Sequence, residues 1–459
     1  MQGGRWEWHL RETLGIAAPI ALALLAEMMM GLISTITLGS LGDAALAAGG
    51  LGTNLFFTML VVLQGVLAGV GVLVASALGA GRPASVPGIY WSGVLLGSLL
   101  AVLLFILLSL PGPLLRALGE PAGLTEPISG FLLVLRWGVP AGVVGVGMMR
   151  QFLPAIGLQK MLLWVLPGGV ALHLAMNLLL VRGAFGFSGF GLNGSAASIT
   201  ITLWTMAAAM LVLLHGPRYR HFVRLTRPHA GTLRTLLALG LPSGGSVAVE
   251  GGLFAATGIL ASRLGPQVLA AHLIALSVIT VVFMIPLSIS QAANVRVATA
   301  CGGGRRDIAR RAGLCAIALA ACFMACVALT LRIAPHAIIR LYLGPTTPAT
   351  AATEALAVTL LGVAGVFQIF DGTQVAASGA LRGLQDVRVP MVLAAFGYWG
   401  VGFTAGWLLA FPAHLGAVGL WWGLCAGLAA VALCLSLRFA HRSRVTRREP
   451  ARDTARAGV

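Results

Sequence analysis

Charge is what this sequence has least of. Only 9% of its 459 residues are Asp, Glu, Lys or Arg, while 58% are hydrophobic. A soluble domain carries roughly 25% charged residues. A chain this apolar cannot cover itself with polar surface in water, which excludes a soluble enzyme. Acid is scarcer still, with 13 Asp and Glu against 30 Lys and Arg. Lysine is nearly absent: Lys160 stands alone, and Met161 follows it. The phosphate-cradling motif G-x-x-x-x-G-K-[ST] needs a lysine followed by Ser or Thr, so this chain carries no such ATPase site. Any transport it performs runs on an ion gradient or on a partner. Cysteine is sparse too. The six lie in the second half with no Cys-x-x-Cys pair, which reads as small buried hydrophobes rather than disulfides or a metal centre.

What the sequence has in abundance is long apolar runs. A transmembrane helix needs about 20 apolar residues to cross ~30 Å of hydrocarbon. Twelve such stretches lie between about 14 and 438, including 14–40, 127–153, 161–182, 235–262, 268–300 and 352–380. The first is too long for a signal-peptide core and lacks a small-residue cleavage site, so it reads as a retained helix. The expected fold is an all-α polytopic membrane protein.

The basic excess sets orientation. Most of it gathers at the N-terminus, the even-numbered loops and the C-terminal tail, as with Arg218, Arg220, Arg224 and Arg227, or Arg305, Arg306, Arg310 and Arg311. The other side holds only Arg116, Arg136, Arg182, Arg263, Arg332 and Arg340. Both termini are therefore expected in the cytoplasm, with the protein in the cell inner membrane. Charge spread over short loops is not a folded basic face, so nucleic acid is not an expected partner. Residues 442–459 read as a basic, disordered tail.

The second half copies the first. At a shift of 223 residues Pro19 falls on Pro242, Glu27 on Glu250, Leu41-Gly42 on Leu264-Gly265, and Gly79-Ala80-Gly81-Arg82 on Gly302-Gly303-Gly304-Arg305. Later, Gly191 and Gly194 match Gly416 and Gly419 at a shift of 225. Six spans per half is an even number, so both halves enter the membrane from one side. They are expected as two parallel six-helix repeats around a central cleft, residues 1–215 and 235–441, joined by the linker 216–234. Two such lobes suit alternating access.

Ten of the acids fall at termini, loops or helix ends. The other three, Glu27, Glu250 and Asp371, lie inside apolar spans, and Glu27 and Glu250 are repeat mates. An acid at a helix centre costs roughly 2.5–3.5 kcal/mol on insertion scales and marks a functional face by default. Helical spacing puts Phe254 and Thr257 on the face of Glu250, and Phe367, Gln374 and Ser378 on the face of Asp371. Glu27 shares its face with Gly31 and Ser34, and His173 and Asn177 are one turn apart in the fifth span. Such a carboxylate can exchange a proton, hold Na⁺ or attract an organic cation. Trp137, Trp164, Trp399, Trp421 and Trp422 read as interface anchors or packing.

The run Phe367-Gln368-Ile369-Phe370-Asp371-Gly372-Thr373-Gln374, continuing through Ala380-Leu381-Arg382-Gly383 to Asp386-Val387-Arg388-Val389-Pro390, resembles the tenth-helix signature of the multidrug and toxic compound extrusion (MATE) family, NorM-like branch. Ala18-Pro19-Ile20, Leu241-Pro242, Ala271-His272 and the Gly79-Ala80-Gly81 turn are similar to it as well. The resemblance implies two six-helix lobes and export of organic cations in exchange for Na⁺ or H⁺. It implies no enzyme and no cofactor beyond the coupling ion, with small organic cations and membrane lipid as partners of a monomer. By residue match it implies that Glu250 and Asp371 bind the coupling ion, a possible Na⁺ site. The sequence departs from the pattern at Phe367, where a Tyr is frequent, and at Ser34, where an acid is usual. His173 and Asn177 stand where two Asn are common, and Ser198 where a Thr is frequent. Glu27 is then expected to serve the first lobe's ion site. A lipid-linked oligosaccharide flippase of the same superfamily is the rival reading. Its anionic cargo calls for basic cavities, and the mid-membrane charges here are acidic.

Overall fold

The computed structural model describes residues 6–117, 122–183, 188–344, 347, 348 and 350–444. Every regular element among them is helical. The first half runs α1 (Trp6–Gly39), α2 (Asp43–Gly79), α3 (Val86–Leu108), α4 (Pro111–Ala117), α5 (Ala122–Leu135), α6 (Met149–Ala155), α7 (Gln159–Asn177) and α8 (Gly191–Leu214). The second runs α9 (Ala230–Arg263), α10 (Pro266–Gly302), α11 (Arg306–Ile333), α12 (Pro335–Leu343), α13 (Ala351–Gly383), α14 (Arg388–Ala395), α15 (Thr404–Ala410) and α16 (Gly416–Arg442). Wider π-helical turns extend three of the spans, at Ala141–Met148, Leu178–Arg182 and Phe396–Phe403.

Among the described residues eleven helices are long and apolar enough to cross a membrane, or twelve if the bent pair Thr125–Gly138 and Ala141–Ala155, kinked by 50°, counts as one span. The straight span expected over 127–153 is thus broken. Pro140 sits at the break, where a ring without an N–H cannot continue the ladder of backbone bonds. The first span begins earlier than hydropathy suggests, because α1 already starts at Trp6. At the other end α16 runs through Arg442, one residue into the expected tail; 445–459 lie outside the described residues. The cysteines are buried only in part. Cys315 and Cys425 are enclosed, but Cys322, Cys326 and Cys434 are exposed on the bundle surface.

The duplication is visible in backbone angles. Gly42 and Gly265 adopt φ of 106° and 115°, and Gly81 and Gly304 adopt 68° and 69°. Those left-handed turns suit glycine because it has no Cβ to clash. Two large apolar cores result, with a smaller cluster of Leu260, Ala261, Ala410 and Leu420. One is built mostly before Val223, and the other spans Leu253 to Phe439. The first helix of each half reaches across to the other core. Ala17 of α1 packs in the second core, while Leu236 and Leu239 of α9 pack in the first. Where α9 crosses α2, Gly240 and Gly244 lie against the backbone of Val62 and Val66. A side chain at either glycine would hold the helices apart.

One crossing carries a charge. Arg296 of α10 reaches the start of α1, donating to the His9 carbonyl at 2.7 Å and to Thr13 Oγ1 at 2.6 Å, with Trp8 stacked 5.3 Å from its guanidinium. His9 and Thr13 are fully buried by this clasp.

Candidate functional site

Glu250 and Asp371 come together. With Phe254, Leu276, Ile279, Thr280 and Phe283 they line an open recess of about 220 Å³ between α9, α10 and α13. The α10 residues follow i, i+3, i+4, i+7 spacing, which is one helix face. Drug-sized pockets run to about 300–1,000 Å³, so this recess suits an ion with its waters, or one end of a larger molecule. Asp371 is 4% exposed, and its Oδ1 has no hydrogen-bond partner among the described residues. Neither acid forms an ion pair with a basic residue there. The two carboxylates do lie within each other's electrostatic reach. Two acids and no fixed cation, in a wall of Leu, Ile and Phe, make a site that must take its positive charge from outside.

A third element braces the site. Tyr398, on the π-helical turn Phe396–Phe403, is buried within electrostatic reach of both carboxylates. Its hydroxyl accepts a hydrogen bond from Gln374 Nε2 of α13. Next to it, Trp399 Nε1 donates to the Val249 carbonyl at 3.2 Å, one residue before Glu250. Trp399 therefore ties the eleventh span to α9, a closer duty than anchoring at an interface. π-Helical turns recur at functional sites because the extra residue re-aims side chains.

The remaining second-half candidates are arranged around the recess. Phe254 is in its wall, while Phe367 is fully buried and stacked edge-on against Phe254 and Trp421, at 6.1 and 5.8 Å between ring centres. Thr257 is buried and spends its hydroxyl on the Leu253 carbonyl at 2.8 Å. Ser378, two turns beyond Asp371, is half-buried.

The first half gathers four candidates into one polar knot. Ser34 Oγ lies 3.0 Å from His173 Nε2, and Asn177 Nδ2 lies 2.9 Å from the same nitrogen. Asn177 Nδ2 also donates to Ser198 Oγ at 3.1 Å. Ser198 Oγ lies 3.1 Å from His173 Nδ1. All four residues are buried and bonded to one another across α1, α7 and α8, while Asn177 Oδ1 has no hydrogen-bond partner among the described residues. Glu27 is not part of the knot. Arg150 of α6 donates to its Oε2 at 2.6 Å, and their side chains are only 12% and 20% exposed. Arg150 stands near the end of the fourth span, and in the fold it is bonded to an acid of the first.

Comparison with known proteins gives the same architecture. The MatE family profile matches twice, over residues 19–179 and 242–408, one match per repeat. The chain is 51% identical over 436 residues to a probable multidrug resistance protein NorM of Burkholderia mallei (strain ATCC 23344), covering 95% of this chain and 93% of that one. It is 50% identical over 432 residues to the multidrug resistance protein NorM of Burkholderia vietnamiensis, covering 94% of each. Its fold is similar to a multidrug resistance MATE family transporter of the MOP superfamily in an outward-facing conformation. That match has a TM-score of 0.86 at 19% identity and covers 96% of this chain and 97% of that one. A eukaryotic MATE transporter matches with a TM-score of 0.84 at 20% identity, covering 96% and 98%. Two matched repeats, 51% identity over 95% of the chain, and the shared helical fold lead to one conclusion: this multi-pass membrane protein belongs to the MatE family of transporters.

Proposed function

We propose that the chain is a secondary antiporter that exports organic, mostly cationic, drugs and toxins in exchange for Na⁺ or H⁺. The observation that carries this reading is the pair Glu250 and Asp371 in an apolar recess with no fixed cation. A buried uncompensated carboxylate is costly, so the recess holds either a coupling cation or the cationic end of a substrate. If both compete for the same two acids, entry of the ion expels the substrate. The lobes 1–215 and 235–441 would rock about this site with 216–234 as their linker, a parallel-repeat form of alternating access. The arginine pattern supports an inner-membrane protein with both termini in the cytoplasm, and we take the working unit to be a monomer. The acidic recess also argues against the flippase alternative, whose lipid phosphates would be repelled.

The test is uptake of a fluorescent organic cation into inverted membrane vesicles, with a Na⁺ gradient and a pH gradient imposed separately. One of the two gradients is expected to drive uptake. Glu250→Gln and Asp371→Asn should abolish it while leaving the protein in the membrane. Wild-type uptake in both variants would sink the assignment.

A further inference from the structure

The two repeats place equivalent glutamates in unequal surroundings. Glu250 faces an open recess, while its mate Glu27 is closed by the Arg150 guanidinium at 2.6 Å. We propose that Arg150 is a tethered cation that permanently fills the first lobe's acid site, so that only the second lobe binds a coupling ion. The site is thus a dormant cation site, and Arg150 is its built-in occupant.

Three observations support this. The bond is short and charge-assisted, the strong class of hydrogen bond, and both side chains are largely enclosed. The residue at the place of Arg150 in the second repeat, at the shift of 226 that pairs Gly157 with Gly383, is Ala376. The second lobe therefore has no such occupant. Finally, the polar side chains of Ser34, His173, Asn177 and Ser198 bond to one another, and the ion pair of Glu27 is with Arg150. A free ion competing for Glu27 would have to displace a partner tethered on α6 of the same chain, whose effective concentration is about mM or higher however dilute the ion is. Removing Arg150 would leave a half-buried carboxylate with nothing to balance it, and a cation from solution would take the place.

The proposal rests on the reading of Glu250 and Asp371 as the coupling site, and one set of variants tests the two separately. The purified protein is reconstituted in liposomes, and ethidium export is measured against the concentration of whichever ion, Na⁺ or H⁺, drives it. Wild type and Glu27→Gln are expected to show the same ion dependence with a Hill coefficient of about 1, since an amide oxygen still accepts from Arg150. Arg150→Met should raise the coefficient above about 1, toward the ceiling of about 2 for two sites that must both fill in one transport step. The double variant Glu27→Gln/Arg150→Met should return to the wild-type dependence. Loss of coupling in Glu27→Gln would overturn the proposal, because Glu27 would then bind the ion with Arg150 in place. So would an unchanged ion dependence in Arg150→Met. If Arg150→Met does not fold, Arg150→Gln, which removes the charge and keeps a hydrogen-bond donor, takes its place with the same expected outcomes. Glu250→Gln serves as the control on the underlying reading: coupled export in that variant would remove the second-lobe site whatever the Arg150 variants do.

Discussion

Gly79 and Gly302, repeat mates on α2 and α10, each press on the backbone of the other's helix. A Cβ on Gly79 would strike the Thr299 carbonyl, and a Cβ on Gly302 would strike the Ser76 carbonyl. Ser76 and Thr299 are mates at the same shift. The contact is therefore reciprocal, the same atoms meeting in both directions across a local two-fold. No side chain lies between the strands of backbone to yield.

Gly79→Ala or Gly302→Ala should therefore wedge this junction open. Overpacking of this kind costs about 1–3 kcal/mol. The expected result is a lower melting temperature in detergent and a longer distance between spin labels placed at Arg82 and Arg305, just past the two glycines. An unchanged label distance would mean that the helices slide rather than separate.

Tyr398→Phe should weaken ion binding without emptying the site. The change leaves Gln374 Nε2 without its acceptor, and a buried donor so orphaned costs about 1–3 kcal/mol. The ion concentration for half-maximal export should rise by up to about tenfold, with the maximal rate changed less. Gln374→Leu combined with Tyr398→Phe should recover thermal stability but not ion affinity. If the double variant regained both, the hydroxyl would be packing only.

Arg296→Met should loosen the first turns of α1. Hydrogen bonds to a charged donor contribute about 1.5–3 kcal/mol, and two of them hold His9 and Thr13. Trypsin cleavage after the exposed Arg11 should then be faster than in wild type, as read by mass spectrometry. Equal cleavage rates would show that apolar packing alone seats this segment.

Ser198→Ala should lower stability and leave ion coupling intact. The hydroxyl bridges His173 and Asn177, and its loss leaves buried polar groups short of partners, at about 1–3 kcal/mol. The readouts are a melting curve and the ion dependence of ethidium export. A shifted ion dependence would move the polar knot into the coupling machinery.

Contrast decided what could be read from the sequence. Glu250 and Asp371 stand out because an acid in an apolar run has a cost that function must justify. The knot of Ser34, His173, Asn177 and Ser198 was legible for the same reason. Leu276, Ile279 and Phe283 were not, since an apolar residue facing a recess looks like one facing lipid. Tyr398 was hidden twice over. It is one aromatic among many, and it sits on a π-helical turn where 3.6-residue periodicity points the wrong way. Arg150 was not legible either: an arginine near the end of an apolar run reads as one charge of the orientation signal, and its bond to Glu27 comes from the second piece of a span bent by 50°. The bend itself could not be told from the run of apolar residues around Pro140.

The clasp between Arg296 and the start of α1 also sets an order on biogenesis. The two partners are 283 residues apart in the chain. α1 leaves the ribosome well before α10, and the arginine that bonds its leading turns is made only after six further crossings have been synthesised. Until then Trp8, His9 and Thr13 have no partner from α10 to enclose them. α1 is thus inserted long before its leading turns are seated, and a chain truncated before α10 would lack the bonds that hold them.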